Sequence, residues 1–112
     1  LSDKSMRWHA SELIRGVLFE LLGQELPYSC AVTIRKFSEG KQGDTIEATI
    51  HVERDSQKGI VIGRGGETLK KIGSRAREEM ERVLGHKVFL DLRVKVLKEW
   101  QRDPKALQRL GF

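Results

Sequence analysis

Apolar residues recur at helical spacing over residues 5–22, where Leu13, Ile14, Val17, Leu18, Leu21 and Leu22 form one stripe and Gly23 follows as a stop. Gly16 weakens that helix by about 1 kcal/mol of propensity. Pro27 blocks further helix and opens an alternating run in which Tyr28, Cys30, Val32 and Ile34 share one face and Ala31 and Thr33 the other, which predicts a strand. The Gly- and Asp-bearing stretch 38–44 then reads as a hairpin loop, and beyond it Ile46, Ala48, Ile50 and Val52 alternate with polar residues as a second, antiparallel strand.

Residues 55–62 are ambiguous by pattern. Asp55 and Ser56 are both competent N-caps for a helix starting at Gln57, whereas Ile60-Val61-Ile62 favours a strand, and periodicity does not choose. From Glu67 onward Leu69, Ile72, Ala76, Met80 and Val83 return to helical spacing, with Gly85 placed as a C-cap. Residues 87–98 alternate, Val88, Leu90, Leu92, Val94 and Val96 against Lys87, Asp91, Arg93 and Lys95, and predict a third strand. Asp103-Pro104 pairs an N-cap with a first-turn proline and opens a short helix over about 104–110 that carries Leu107 and Leu110. The order is α-β-β-α-α-β-α. With no repeat, low-complexity tract or internal linker, one mixed α+β domain over residues 1–112 is the economical reading.

Composition adds limits. At 38% hydrophobic and 33% charged residues, no apolar run is long enough to span a bilayer, and Leu1-Ser2-Asp3-Lys4 lacks the basic-then-apolar pattern of a signal sequence. Because the first residue is not Met, the chain is expected to be cut from something longer. A single cysteine, Cys30, sits in an apolar stretch with no assignable His or Asp partner, so core packing in a reducing compartment, the cytoplasm, is expected rather than nucleophilic catalysis. His9, His51 and His86 are too scattered for a zinc site, and no metal is expected. The net charge of +5 is unevenly spread: residues 1–56 hold 7 Lys/Arg against 9 Asp/Glu, a balance of −2, and residues 57–112 hold 14 against 7, a balance of +7. A basic half suits a polyanionic partner, although a solvated face would carry the same signature.

The chemistry concentrates in Gly63-Arg64-Gly65-Gly66 and the helix that follows. Three glycines in four positions permit close backbone approach, and the helix start behind them presents unpaired N–H groups and the positive end of a dipole, a natural seat for phosphate. Two other phosphate loops fail on spacing: Gly40-Lys41 is followed by Gln42 rather than Ser or Thr, and the dinucleotide fingerprint would need glycine at Thr68. The helix also carries its charges backwards, with Lys70, Lys71, Arg75 and Arg77 early and Glu78, Glu79 and Glu81 late. Each such charge opposes the dipole by about 0.3–1 kcal/mol where close and poorly screened, and a bound polyanion would offset that. Glu67, in the first turn, is read as satisfying helix-start N–H groups rather than as an acid or base.

An apolar residue, Gly-x-x-Gly, a helix and flanking cations form the K-homology (KH) arrangement. Across its length the chain resembles the C-terminal KH domain of the bacterial Era GTPases, on the segments Ala10–Arg15, Glu25–Ser29, Val52–Lys58, Val61–Gly63 and Ala106–Phe112. The resemblance implies a type II KH fold, a three-stranded mixed sheet packed against helices, with residues 56–62 helical. It further implies a loop clamping the backbone of single-stranded RNA with bases in an adjoining apolar groove. Carried over by position, the loop is Gly63, Arg64, Gly65 and Gly66, Ile62 and Leu69 form the groove floor, Ile50 or Val52 its strand side, and Lys58, Arg64, Lys70 and Lys71 contact phosphates. The implied partners are small-subunit ribosomal RNA near its 3′ end and the small ribosomal subunit during its assembly. The GTPase domain of such proteins, with its GTP and Mg²⁺, is absent from this chain, which is therefore expected to be non-enzymatic and to hold no cofactor.

A monomer is the default expectation, and the resemblance leaves room for peripheral membrane association of a full-length protein. Two other readings stand beside this one: a KH fold used for protein docking, or the KH domain of a different RNA-binding factor. Trp8 and Trp100 are expected to anchor packing rather than stack on bases, and Lys95, Lys98 and Arg102 are undecided between solvated charges and peripheral phosphate contacts.

Overall fold

A computed structural model describes residues 3–23 and 25–112. Leu1 and Ser2, the start of the segment read for a signal pattern, lie outside the described residues. The elements run α1 (Asp3–Leu22), α2 (Glu25–Tyr28), β1 (Ala31–Ser38), β2 (Asp44–Val52), α3 (Asp55–Ile62), α4 (Glu67–Leu84), β3 (Val88–Val96) and α5 (Pro104–Arg109), with single 3₁₀ turns at Arg64–Gly66 and Trp100–Arg102.

The sheet order is β1-β2-β3. β2 is central, antiparallel to β1 across the 38–44 loop and parallel to β3 across the α3–α4 crossover. That crossover is what a parallel neighbour requires, since a hairpin joins only antiparallel strands. The helix-facing side of β2, Ile46, Ala48, Ile50 and Val52, is fully buried against Ile14, Val17 and Leu18 of α1, Val61 of α3 and Ile72, Ala76 and Met80 of α4. The spacing of the α4 trio, four residues apart, keeps one side of that helix on the sheet and leaves the other to solvent. A smaller cluster, in which Trp100 and Ala106 meet Ala31 with Leu97, Leu107 and Leu110 around them, packs the C-terminal segment onto the start of β1. No helix among the described residues is long and apolar enough to cross a membrane.

Two local expectations change and one ambiguity is resolved. Pro27 does not open the strand: it lies in the one-turn helix α2, where a proline in the first turn removes no needed N–H, and β1 begins at Ala31. Tyr28 therefore projects into solvent, and Cys30 is buried just before the strand, its thiol donating to Leu26 O at 3.3 Å. The 55–62 segment is helical, as the family resemblance implied and the Ile-Val-Ile run did not; Gln57 Oε1 accepts from the N–H groups of Glu53 (2.9 Å) and Arg54 (3.0 Å) and so fixes the helix start. Trp100 packs, with Nε1 donating to Ser29 O at 3.1 Å and its ring stacked on Phe112, but Trp8 is 59% exposed and touches His9 edge-on. It lies off the buried stripe that continues from Ala10 to Ile14, Val17 and Leu18.

Candidate nucleic-acid interface

The loop joins the end of α3 to the start of α4 in two steps. Gly63 N–H closes the last turn of α3 on Gly59 O at 2.8 Å, and Gly66 N–H returns to Gly63 O at 3.2 Å to make the intervening 3₁₀ turn. Gly63 has φ 75° and ψ 178°, a combination open essentially to glycine, and a Cβ there would stand 2.2 Å from Thr68 Oγ1 and 2.7 Å from Thr68 Cβ. Gly65 and Gly66 are both left-handed, at φ 61° and 79°, yet a Cβ on either would meet nothing within 4 Å. The corner is thus tight on its inner side and open on its outer side. No side chain caps α4, so the positive end of its dipole faces the loop.

Charge follows the same division. Arg64, Lys70 and Lys71 are exposed and Lys58 is half-buried, and among the described residues none of the four takes part in an ion pair. Further along α4 the arginines are occupied: Arg75 holds Glu79 at 2.9 Å and Glu20 at 3.1 Å, and Arg77 holds Glu81 at 3.0 Å. Glu79 also pairs with Arg82. Glu81 in turn accepts the N–H of Val88 at 3.0 Å, a backbone hydrogen bond that is the main cause of its lowered carboxyl pKa. The reversed charge order of this helix therefore has a local account at its C-terminal end, where Glu79 and Glu81 have partners, and none at its N-terminal end, where Lys70 and Lys71 have none among the described residues.

A groove of about 380 Å³ opens beside the loop, between α4 and the outer strand β3. Gly66, Leu69, Lys70, Gly73, Ser74 and Arg77 form its helix side, and Leu90 and Leu92 its sheet side. Of the residues named from the sequence, Leu69 and Lys70 line it. Ile62 is partly buried against the core beneath the loop rather than on the groove lining, and Lys71 borders a separate surface on the other flank of α4 with Leu21, Glu67 and Arg75. Ile50 and Val52 are corrected: both are fully buried on the central strand under the helices and present no surface, because β3 adds outside β2 and takes over the sheet side of the groove.

Leu90, Leu92, Gly73, Ser74 and Arg77 were missed. The alternation of β3 and the periodicity of α4 give the faces of these residues, but which strand lies at the edge is a property of sheet order and leaves no local trace. Ile60, 55% exposed on α3 just before the loop, was also passed over. A smaller apolar cleft of about 140 Å³, between α1 and the far end of α4, is lined by Met6, Leu13, Phe37, Met80 and Val83 and offers His9 as its one polar side chain. It has none of the loop's charge.

A family model described as KH domain matches residues 25–101. Curated relatives named GTPase Era align with the whole chain, at 50% identity over 115 positions for Mycolicibacterium smegmatis and 51% over 112 for Coxiella burnetii. The chain spans 38% of the length of each of these relatives. Among solved structures it superposes with a TM-score of 0.87 on a tyrosine-to-alanine variant of Aquifex aeolicus Era bound to GDP and aluminium fluoride, at 38% identity over 95% of this chain and 36% of that one. The same figures hold for Era in complex with MgGDPNP and nucleotides 1506–1542 of 16S ribosomal RNA.

Proposed function

The chain belongs to the KH domain family, and from that premise we propose that it binds single-stranded RNA, its loop gripping the backbone and its groove taking bases. The observation that carries this reading is the pairing of an outwardly open glycine corner with four cations, Lys58, Arg64, Lys70 and Lys71, that have no carboxylate partner among the described residues. Phosphate oxygens would supply the missing counter-charge, while Leu69, Leu90 and Leu92 offer apolar contact to the bases beside them.

The RNA is the 3′ region of small-subunit ribosomal RNA, a reading supported by the Era relative solved with nucleotides 1506–1542 of 16S ribosomal RNA. In this role the chain is the RNA-addressing part of a longer Era-like GTPase of the cytoplasm that acts in small-subunit assembly. The GTPase domain, outside these residues, would hold GTP and Mg²⁺ and carry the chemistry. The chain's own work is positioning, as a monomer, and the catalytic groups belong to the GTPase domain.

The test is a titration of short single-stranded RNAs at several salt concentrations, with the wild type beside Gly65→Asp. Four phosphate contacts predict a log–log salt slope of about −3, from roughly 0.7 per phosphate on single strands. Position 65 is left-handed with open space around it, which Asp tolerates, so the variant should fold while its carboxylate repels the backbone. Binding absent in the wild type, or equal in the two proteins, would refute the role given to the loop.

A further inference from the structure

Leu69, Gly73 and Arg77 succeed one another at four-residue intervals along α4 and all border the groove. Side chains so spaced stand one above the next on a single helix face, so Gly73 is a gap between a leucine and an arginine. Beneath the gap lies Leu92: a Cβ at position 73 would meet only its Cδ1, at 3.7 Å, an ordinary contact distance. The backbone here is regular helix with no positive φ. Neither conformation nor packing calls for glycine at this position, and a side chain would occupy space that the groove now has.

Resting on the RNA reading above, we infer that Gly73 is a specificity-determining residue, the level floor on which one nucleobase lies. The ring face of the base rests on the Gly73 backbone and on the methyls of Leu69 and Leu92. Its polar edge meets the Ser74 hydroxyl and the guanidinium of Arg77. That guanidinium is oriented by Glu81, which the Val88 N–H holds in place, and one bond to Glu81 leaves most of its five N–H donors for carbonyl or ring-nitrogen acceptors. A base rich in such acceptors fits this edge. Gly16 supplies the contrast, since a Cβ there would meet nothing within 4 Å, but it sits on α1, away from the groove.

The experiment compares wild type, Gly73→Ala, Gly73→Leu, Gly16→Ala and Gly65→Asp in thermal melts and in RNA titration. Alanine and leucine are better helix formers than glycine, so both Gly73 variants and Gly16→Ala should melt at or above the wild-type temperature. RNA affinity should fall in steps at position 73, reaching about tenfold or more for Gly73→Leu, the loss of roughly one base's contact. Gly16→Ala should bind as the wild type does. Stable Gly73 variants with wild-type affinity, or an equal loss in Gly16→Ala, would overturn the inference while leaving the loop's role intact. A wild type that does not bind RNA, or one matched by Gly65→Asp, would bring down the RNA reading and this inference together.

Discussion

Gly63→Ala should be the most damaging small substitution in the loop, and its cost can be worked from two separate sources. The first is conformational: φ 75° with ψ 178° lies where only glycine is at ease, a penalty of about 1–3 kcal/mol for any residue with a Cβ. The second is steric: the new methyl would stand 2.2 Å from Thr68 Oγ1, 2.7 Å from Thr68 Cβ and 3.0 Å from Thr68 N, and forced overpacking of this kind costs about 1–3 kcal/mol. Together they give a loss of roughly 4 kcal/mol, a large share of the ~5–15 kcal/mol by which domains of this size are stable. The melting temperature should drop by about 15 °C at roughly 4 °C per kcal/mol.

Gly65→Ala is the matched control, since at φ 61° with open space it carries only the left-handed penalty of about 1–2 kcal/mol, partly offset by a stiffer unfolded chain. Thr68→Ala in the Gly63→Ala background removes the nearest clashing atom but not Thr68 Cβ, so it should restore only part of the loss, with a coupling of about 1 kcal/mol. Urea titrations with a common m-value, read by circular dichroism, measure all five proteins, the Thr68→Ala single variant completing the cycle. Equal stability of Gly63→Ala and Gly65→Ala would refute the tight inner side of the corner.

Three further outcomes are expected. His51, half-buried with its Nε2 on Thr33 Oγ1 at 2.9 Å, has its pKa lowered from 6.5 by burial first and by Lys95 second. The unfolded chain therefore takes up this proton before the folded one does, and stability, fully present above pH 6.5, should decline as pH falls from there toward the lowered folded value; a stability–pH curve for His51→Gln should lack that component. The Cys30 thiol, pushed up to about 11 by burial against the lowering influence of Arg15, should resist a thiol-reactive disulfide reagent at neutral pH in the folded protein and react once urea unfolds it, so rapid labelling of the native chain would contradict its placement. Arg64→Ala should weaken RNA binding and flatten the salt slope by about 0.7–1, whereas Lys36→Ala, on β1, should leave the slope unchanged; equal slopes in all three proteins would remove Arg64 from the phosphate contacts.

Much of this architecture was legible because amphipathic elements announce themselves. Helices α1 and α4, the latter ending at Gly85, and the alternation of β2 and β3 stand where the polar and apolar positions put them, but Leu21 and Val83, read into the two helical stripes, are exposed. Residues 55–62 failed the same test because Val61 is the only one of them fully buried, so the segment has no repeating stripe to read and β-branched propensity pulls the other way. Pro27 misled for a related reason, since a one-turn helix has no period at all. At the candidate site the loop, Leu69 and Lys70 were accessible from a short motif. The sheet wall was not, because the choice between Ile50 and Leu92 depends on which strand lies outermost, a relation between residues some forty positions apart.

Since β3 supplies one whole side of the groove, the Gly-x-x-Gly sequence and the groove beside it are separable in time and in the gene. A fragment ending before Val88 would keep the entire motif and the helix behind it, yet would have only a bare helical ridge to offer a nucleotide. On the proposed reading, contact with bases would thus arrive only once β3 is made, after the part of the domain that carries the motif.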